Sequence, residues 1–145
     1  MVDVPAENFE DVILYVGQAM QSAGLVRDTY PHAVLEREKK HPTGLPDHVM
    51  AAIPHVSGEH VLKPGIAVAC LRNPVTFYNI ANPEEALSIR IVFMLAIKDP
   101  GEQLNTLRAL TKTFQNVELM DRMRNAESKD ALIAALEAAG WQNGD

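Results

Sequence analysis

The chain has 145 residues, 47% of them hydrophobic and 22% charged, with a formal net charge of -6. That length and apolar fraction fit one domain, 1–145, with a real core, and they argue against wholesale disorder. No basic block or stripe is present to neutralise phosphates, which disfavours a nucleic-acid partner, and no apolar run reaches the roughly eighteen residues that cross a bilayer.

The opening MVDVPAENFED is acidic and lacks the basic-then-apolar order of a signal peptide, so a cytoplasmic location with no membrane insertion is expected. Phe9, Val12, Ile13, Val16, Met20 and Ala23 then recur at helical spacing, with Gly24 as a stop. A second helix is predicted from about Pro31, a residue suited to a first turn, to Lys40, ending before Pro42. Arg37 and Glu38 fall near its C-terminal end.

After the PTGLP turn, VMAAI is too short for a helix, and a buried strand ending at His55 is expected. GIAVACL (65–71) and VTFYNI (75–80) read as two strands joined by Arg72, Asn73 and Pro74. The one cysteine, Cys70, sits in the first of these, where it reads as a small core residue and excludes an intramolecular disulfide. LSIRIVFMLAI (87–97) is long, apolar and rich in β-branched residues, as a central strand would be.

Asp99, Pro100 and Glu102 form a helix start, and Leu104, Leu107, Leu110, Thr111 and Phe114 give that helix an expected core face. Two shorter helices follow, around Val117 to Arg124 and Ser128 to Ala139, with Gly140 as the stop. Helices bracketing a sheet make the predicted fold an α/β sandwich.

Four of the five histidines lie in HPTGLPDHVMAAIPHVSGEH (41–60). Metal ligands commonly stand one helical turn apart, whereas these are spaced by seven, seven and five residues and broken by Pro42, Pro46 and Pro54. No metal and no other cofactor is therefore expected. There is no GxSxG, and no glycine-rich phosphate loop suggests a nucleotide. His55 stands at the end of the predicted strand, on a backbone held by Pro54. A neutral imidazole there can act as a nucleophile and accept a phosphoryl group. It can equally be a structural or solvated histidine, and the residues alone leave both open.

The run REKKHPTGLP followed by AIPH resembles the enzyme IIA domains of the fructose, mannitol and galactitol class in the bacterial sugar phosphotransferase system. The matching residues are Arg37, Glu38, Pro42, Thr43 and Gly44, then Ala52, Ile53, Pro54 and His55. The likeness continues in GIAVACLRNPVTF, IRIVFMLAIKDP and EQLNTLRALTKTFQN, and IPHVSGEHVLKPGIAVA is most similar to the galactitol branch.

The resemblance implies a mixed sheet flanked by helices on both faces, with five strands in the family against four placed here. It implies that His55 is phosphorylated by the phosphocarrier HPr and passes the phosphoryl group to a cysteine of enzyme IIB. The sugar or polyol is phosphorylated later, during uptake through membrane-embedded enzyme IIC. Arg37 matches the family's arginine near the site, where its fork would bind phosphoryl oxygens. Gln103 stands where mannitol and fructose members have a second histidine, and its amide can donate to phosphate without carrying charge. His60 is expected to start a helix or lie at the surface. An apolar rim of Val56, Val61 and Leu62 is expected to dock both partners. The alternative implied function is a non-transporting regulatory module controlled by phosphorylation of the same histidine.

Overall fold

Helix α1 spans Phe9–Ser22; the side chain of Asn8 caps it by accepting from the Asp11 amide, and Gly24 ends it at φ 80. Its apolar stripe, Val12, Ile13, Val16 and Met20, is buried. Helix α2, Tyr30–Lys40, packs against it. The computed structural model describes residues 1–141; residues 142–145 of the expected domain span lie outside the described residues.

Four strands follow: β1 (Gly44–Leu45), β2 (Ala51–Ala52), β3 (Gly65–Asn79) and β4 (Asn82–Ala96). Antiparallel β1–β2 and β3–β4 pairs are joined by parallel β1–β3 and β2–β4 contacts, so the mixed sheet closes into a ring. The N-terminal segment adds a parallel bridge, Val4 to Leu71. Helices α3 (Pro100–Phe114), α4 (Val117–Arg124) and α5 (Lys129–Ala138) complete the fold.

The two predicted strands 65–71 and 75–80 are one. Arg72, Asn73 and Pro74 form no turn: the pairing with β4 shifts between Cys70 and Val75, and the bulge absorbs the proline without ending the strand. β1 was not predicted, since two residues carry no alternation. β2 stops at Ala52, earlier than expected, because Pro54 brings no amide to a ladder.

Each face of the sheet has its own core. Val12, Ile13 and Val16 of α1 join Phe77, Ile89, Val92 and Met94 on one side; Leu110, Met120, Met123 and Leu132 join Ile91, Phe93 and Leu95 on the other. Helices thus cover both faces, and Ile91 to Ala96, buried throughout, is the central strand that the apolar run predicted. Cys70 is a buried core residue whose thiol donates to the Met123 carbonyl at 3.0 Å.

The expected core face of α3 needs correction. Leu110 is buried and Phe114 packs partly on the second core, but Leu104 is 52% exposed, Leu107 38%, and Thr111 faces solvent. Helical periodicity identifies one apolar face; it does not say whether this chain covers it.

The Glu38 carboxylate, buried, accepts from the Thr43 amide and hydroxyl at 2.8 Å each, tying the end of α2 to the entry of β1. Burial pushes the Glu38 carboxyl above its usual range, against the downward pull of those two hydrogen bonds and Arg37. Thr43→Val should cost about 1–3 kcal/mol in urea unfolding, because it strips a donor from a buried carboxyl. An unchanged midpoint would show that this tie contributes nothing. Gly44 follows at once: a Cβ there would lie 2.5 Å from the Tyr78 carbonyl oxygen, where β1 meets β3.

Candidate functional site

Where β2 runs out, the chain stays beside β4: the Leu95 amide donates to the Pro54 carbonyl at 3.1 Å. The Ile53 carbonyl turns instead to the next side chain but one, and the His55 Nδ1 lies 2.7 Å from it. A carbonyl can only accept, so Nδ1 carries the proton and Nε2 keeps a free lone pair. Burial lowers the His55 pKa below 6.5; the Ile53 hydrogen bond opposes this and the nearby Arg37 charge adds to it.

Beyond β4, the chain passes Lys98 and enters α3, where the Asp99 carboxylate accepts from the Glu102 amide at 2.9 Å. Pro100 stands in the first turn, as predicted. The loop after His55 is pressed against this passage, since a Cβ on Gly58 would lie 2.3 Å from the Lys98 carbonyl oxygen. On its other side the loop is strapped to the α1–α2 connection: the Thr29 hydroxyl is 2.8 Å from His60 Nδ1, and the Arg27 amide donates to the His60 carbonyl.

Between these segments lies a cleft of about 370 Å³ lined by residues that include Arg37, His55, Ser57, Lys98, Pro100 and Gln103. The three predicted site residues therefore come to one place from α2 (Arg37), the segment after β2 (His55) and α3 (Gln103). His60, Thr29-bound in its short 3-10 turn (Gly58–His60), does not line it. His41 and His48 are exposed elsewhere, and among the described residues no three His, Cys, Asp or Glu side chains group as metal ligands would. Val61 is 1% exposed and belongs to the first core, so it cannot form part of a docking rim; Val56 is half-buried and Leu62 exposed.

Sequence reasoning missed Ser57, Gly58 and Lys98. The available signal was the helix start at Asp99 and Pro100 directly after the central strand, because a helix N-terminus is a ready place for an anion.

Residues 1–139 match the family described as "Phosphoenolpyruvate-dependent sugar phosphotransferase system, EIIA 2". The chain belongs to this family. Enzyme IIA components are phosphotransferase relay proteins of sugar uptake, passing a phosphoryl group towards enzyme IIB. The chain is 30% identical over 115 residues to the galactitol-specific EIIA component of Escherichia coli K12, covering 78% of this chain and 75% of that relative. Among solved structures, the crystal structure of mannitol IIA from Escherichia coli superposes with a TM-score of 0.76 at 25% identity, over 93% of this chain and 94% of that one. Enzyme IIA in the Escherichia coli mannitol complex with phosphorylated enzyme IIB shares the fold at 23% identity, with a TM-score of 0.79 over 94% of each chain. Among the described residues, no helix of this enzyme IIA is long and apolar enough to cross a membrane.

Proposed function

We propose that His55 is the phosphoryl acceptor of this relay protein, taking the group from phospho-HPr through Nε2 and giving it to a cysteine of enzyme IIB for uptake of a galactitol-like polyol through enzyme IIC. The observation that carries this reading is the hydrogen bond from His55 Nδ1 to the Ile53 carbonyl, which leaves Nε2 as the free nucleophile in a cleft with Arg37. Similarity to a galactitol-specific component supports the polyol.

In the transfer, the Nε2 lone pair forms a bond to phosphorus while the bond to the donor's leaving atom breaks and that atom keeps the electron pair. No proton need move. The ring becomes cationic, and the Nδ1–H hydrogen bond to Ile53 strengthens as it does. Such a reaction depends on in-line positioning and on charge stabilisation at the equatorial oxygens. Arg37 supplies a bidentate fork, Gln103 a neutral amide donor, and the first turn of α3 the positive end of a helix dipole.

The docking face follows from the correction to α3. Pro100 and Gln103 line the cleft, and Leu104 and Leu107 stand one turn further along from each, extending its wall with exposed apolar surface. A relay partner that reaches His55 would cover them, and a modest interface of this kind suits transient exchange.

The test begins with phosphoenolpyruvate, enzyme I and HPr, then adds a galactitol-type enzyme IIB and follows label onto its cysteine. Wild type should pass the group on, and Leu104→Asp with Leu107→Asp should slow both half-reactions by roughly tenfold or more, the effect of losing a small apolar anchor. Phosphorylation of His55 without onward transfer would instead favour the regulatory alternative. Normal rates in the double variant would remove α3 from the docking face.

A further inference from the structure

A second cleft, of about 480 Å³, lies away from His55 and is lined by residues that include Asp3, Arg72, Arg90, Arg124 and Glu127. From Arg90 to Ala96, the last residue of β4 before the His55 cleft, is roughly 20 Å of strand. The relay chemistry makes no use of this place, yet three guanidinium groups reach it from three elements: Arg72 in the bulge of β3, Arg90 on β4 and Arg124 at the end of α4.

The strand irregularity is what brings Arg90 there. Ile89 belongs to the first core and so does Val92, so the in-out alternation slips once between them. Arg90 and Ile91 fall on the same side, Ile91 inside the second core and Arg90 at its margin. The Nε of Arg90 is buried without a hydrogen-bond partner, and among the described residues no carboxylate lies within ion-pair distance of its guanidinium. A half-buried cation without a carboxylate at hand is costly to keep, and the terminal nitrogens of Arg90, not its closed-off Nε, are what an anion in the cleft can reach.

The other two arginines are held in place. Arg72 forms a two-pronged pair with Asp3, at 2.9 and 3.2 Å, and Asp3 itself sits at φ 54, a backbone conformation that costs a non-glycine residue energy. Arg124 bonds Asp121 at 2.8 Å and the carbonyls of His48 and Val49, while its Nε is buried and unpartnered. Of the two carboxylates on the cleft, Asp3 is occupied by Arg72 and Glu127 pairs with none of the three arginines among the described residues.

We propose that this cleft binds the phosphate group of a small phosphorylated metabolite, with Arg90 as the principal anchor between Arg72 and Arg124. A planar carboxylate is satisfied by one fork, whereas donors converging from three elements match the several oxygens of a tetrahedral oxyanion. The volume leaves room for the rest of a small molecule beside that group. The assignment is independent of the role of His55.

Amide NMR titrations at constant ionic strength, with inorganic phosphate and with glycerol 3-phosphate, test it on wild type, Arg90→Gln and Arg37→Gln. Amides at 71–72, 90 and 124–127 should shift saturably in wild type and in Arg37→Gln. In Arg90→Gln the midpoint should weaken by roughly tenfold or more, the loss that one charge-assisted contact carries. Tighter binding of the phosphomonoester supports a metabolite; binding of bare phosphate alone overturns that part. Absence of saturable shifts, or a midpoint that Arg90→Gln leaves unchanged, overturns the site itself. The spectrum of Arg90→Gln reports its own folding, and its acceptance of a phosphoryl group from HPr should be that of wild type.

Discussion

His55→Ala should gain no phosphoryl group from phospho-HPr, while the wild type gains a single acid-labile one in intact mass. His55→Gln should fail equally, since an amide offers hydrogen bonds but no nucleophilic lone pair. The pH profile gives a second, sharper reading of the same side chain. Burial, aided by Arg37, holds its pKa below 6.5, so in the folded protein the ring is neutral at pH 7 and Nε2 is available. The acceptor rate should therefore be flat above about pH 6.5 and fall only below it, as protonation removes the lone pair. Because the unfolded chain binds this proton first on acidification, the same shift makes stability decline as pH falls below 6.5. In Arg37→Gln the ring should titrate at a higher pH than in wild type, which NMR of the imidazole can follow directly. Full phosphorylation of His55→Ala would move the acceptor elsewhere and remove the basis of the assignment.

The helices were legible because their ends are written in short, local chemistry. Asn8, Asp99 and Ser128 all accept from the amide three residues on, and Gly24 and Gly140 take the positive φ that ends a helix. The central strand was legible because an apolar, β-branched run has few other places to go. What escaped was set by partners distant in sequence. Residues 72–74 look like a turn until β4 is there to carry the strand across a bulge, and β1 exists only because Ala51, Ala52 and Asn79 pair with it. Leu104 and Leu107 satisfy the same periodicity as a core face, so only the packed structure reveals them as exposed. The cleft was partly legible: the Arg-Glu and Ile-Pro-His motifs pointed to Arg37 and His55. The backbone contact at Gly58 that holds the loop against α3 has no local sequence signature beyond the glycine itself.

That contact leads to the other large effect. Gly58→Ala should lower the rate of phosphoryl acceptance by about a hundredfold, the cost of moving a reacting group by about an ångström, while leaving the protein folded. The native φ at Gly58 is not in the left-handed region, so the conflict is one of space: the added Cβ would meet the Lys98 carbonyl oxygen at 2.3 Å and its carbon at 3.0 Å. Backbone atoms cannot swing aside as a side chain would, so either the 56–60 loop or the Lys98–Asp99 passage must retreat. The loop is fastened behind by Thr29 and Arg27, and the passage leads directly into the capped start of α3. Either movement separates His55 from Gln103 and the first turn of α3. The stability loss should be about 1–3 kcal/mol, as for other overpacked sites, and thermal unfolding measures it separately. Glu59→Ala is the control: it removes the exposed carboxylate that accepts from the Ser57 hydroxyl at 3.1 Å, lies outside the cleft lining and leaves the Lys98 passage untouched, and should accept the phosphoryl group nearly as fast as wild type. A Gly58→Ala protein with an acceptor rate close to that of wild type would mean that the cleft tolerates the shift, and that the spacing between the loop and α3 does not limit transfer.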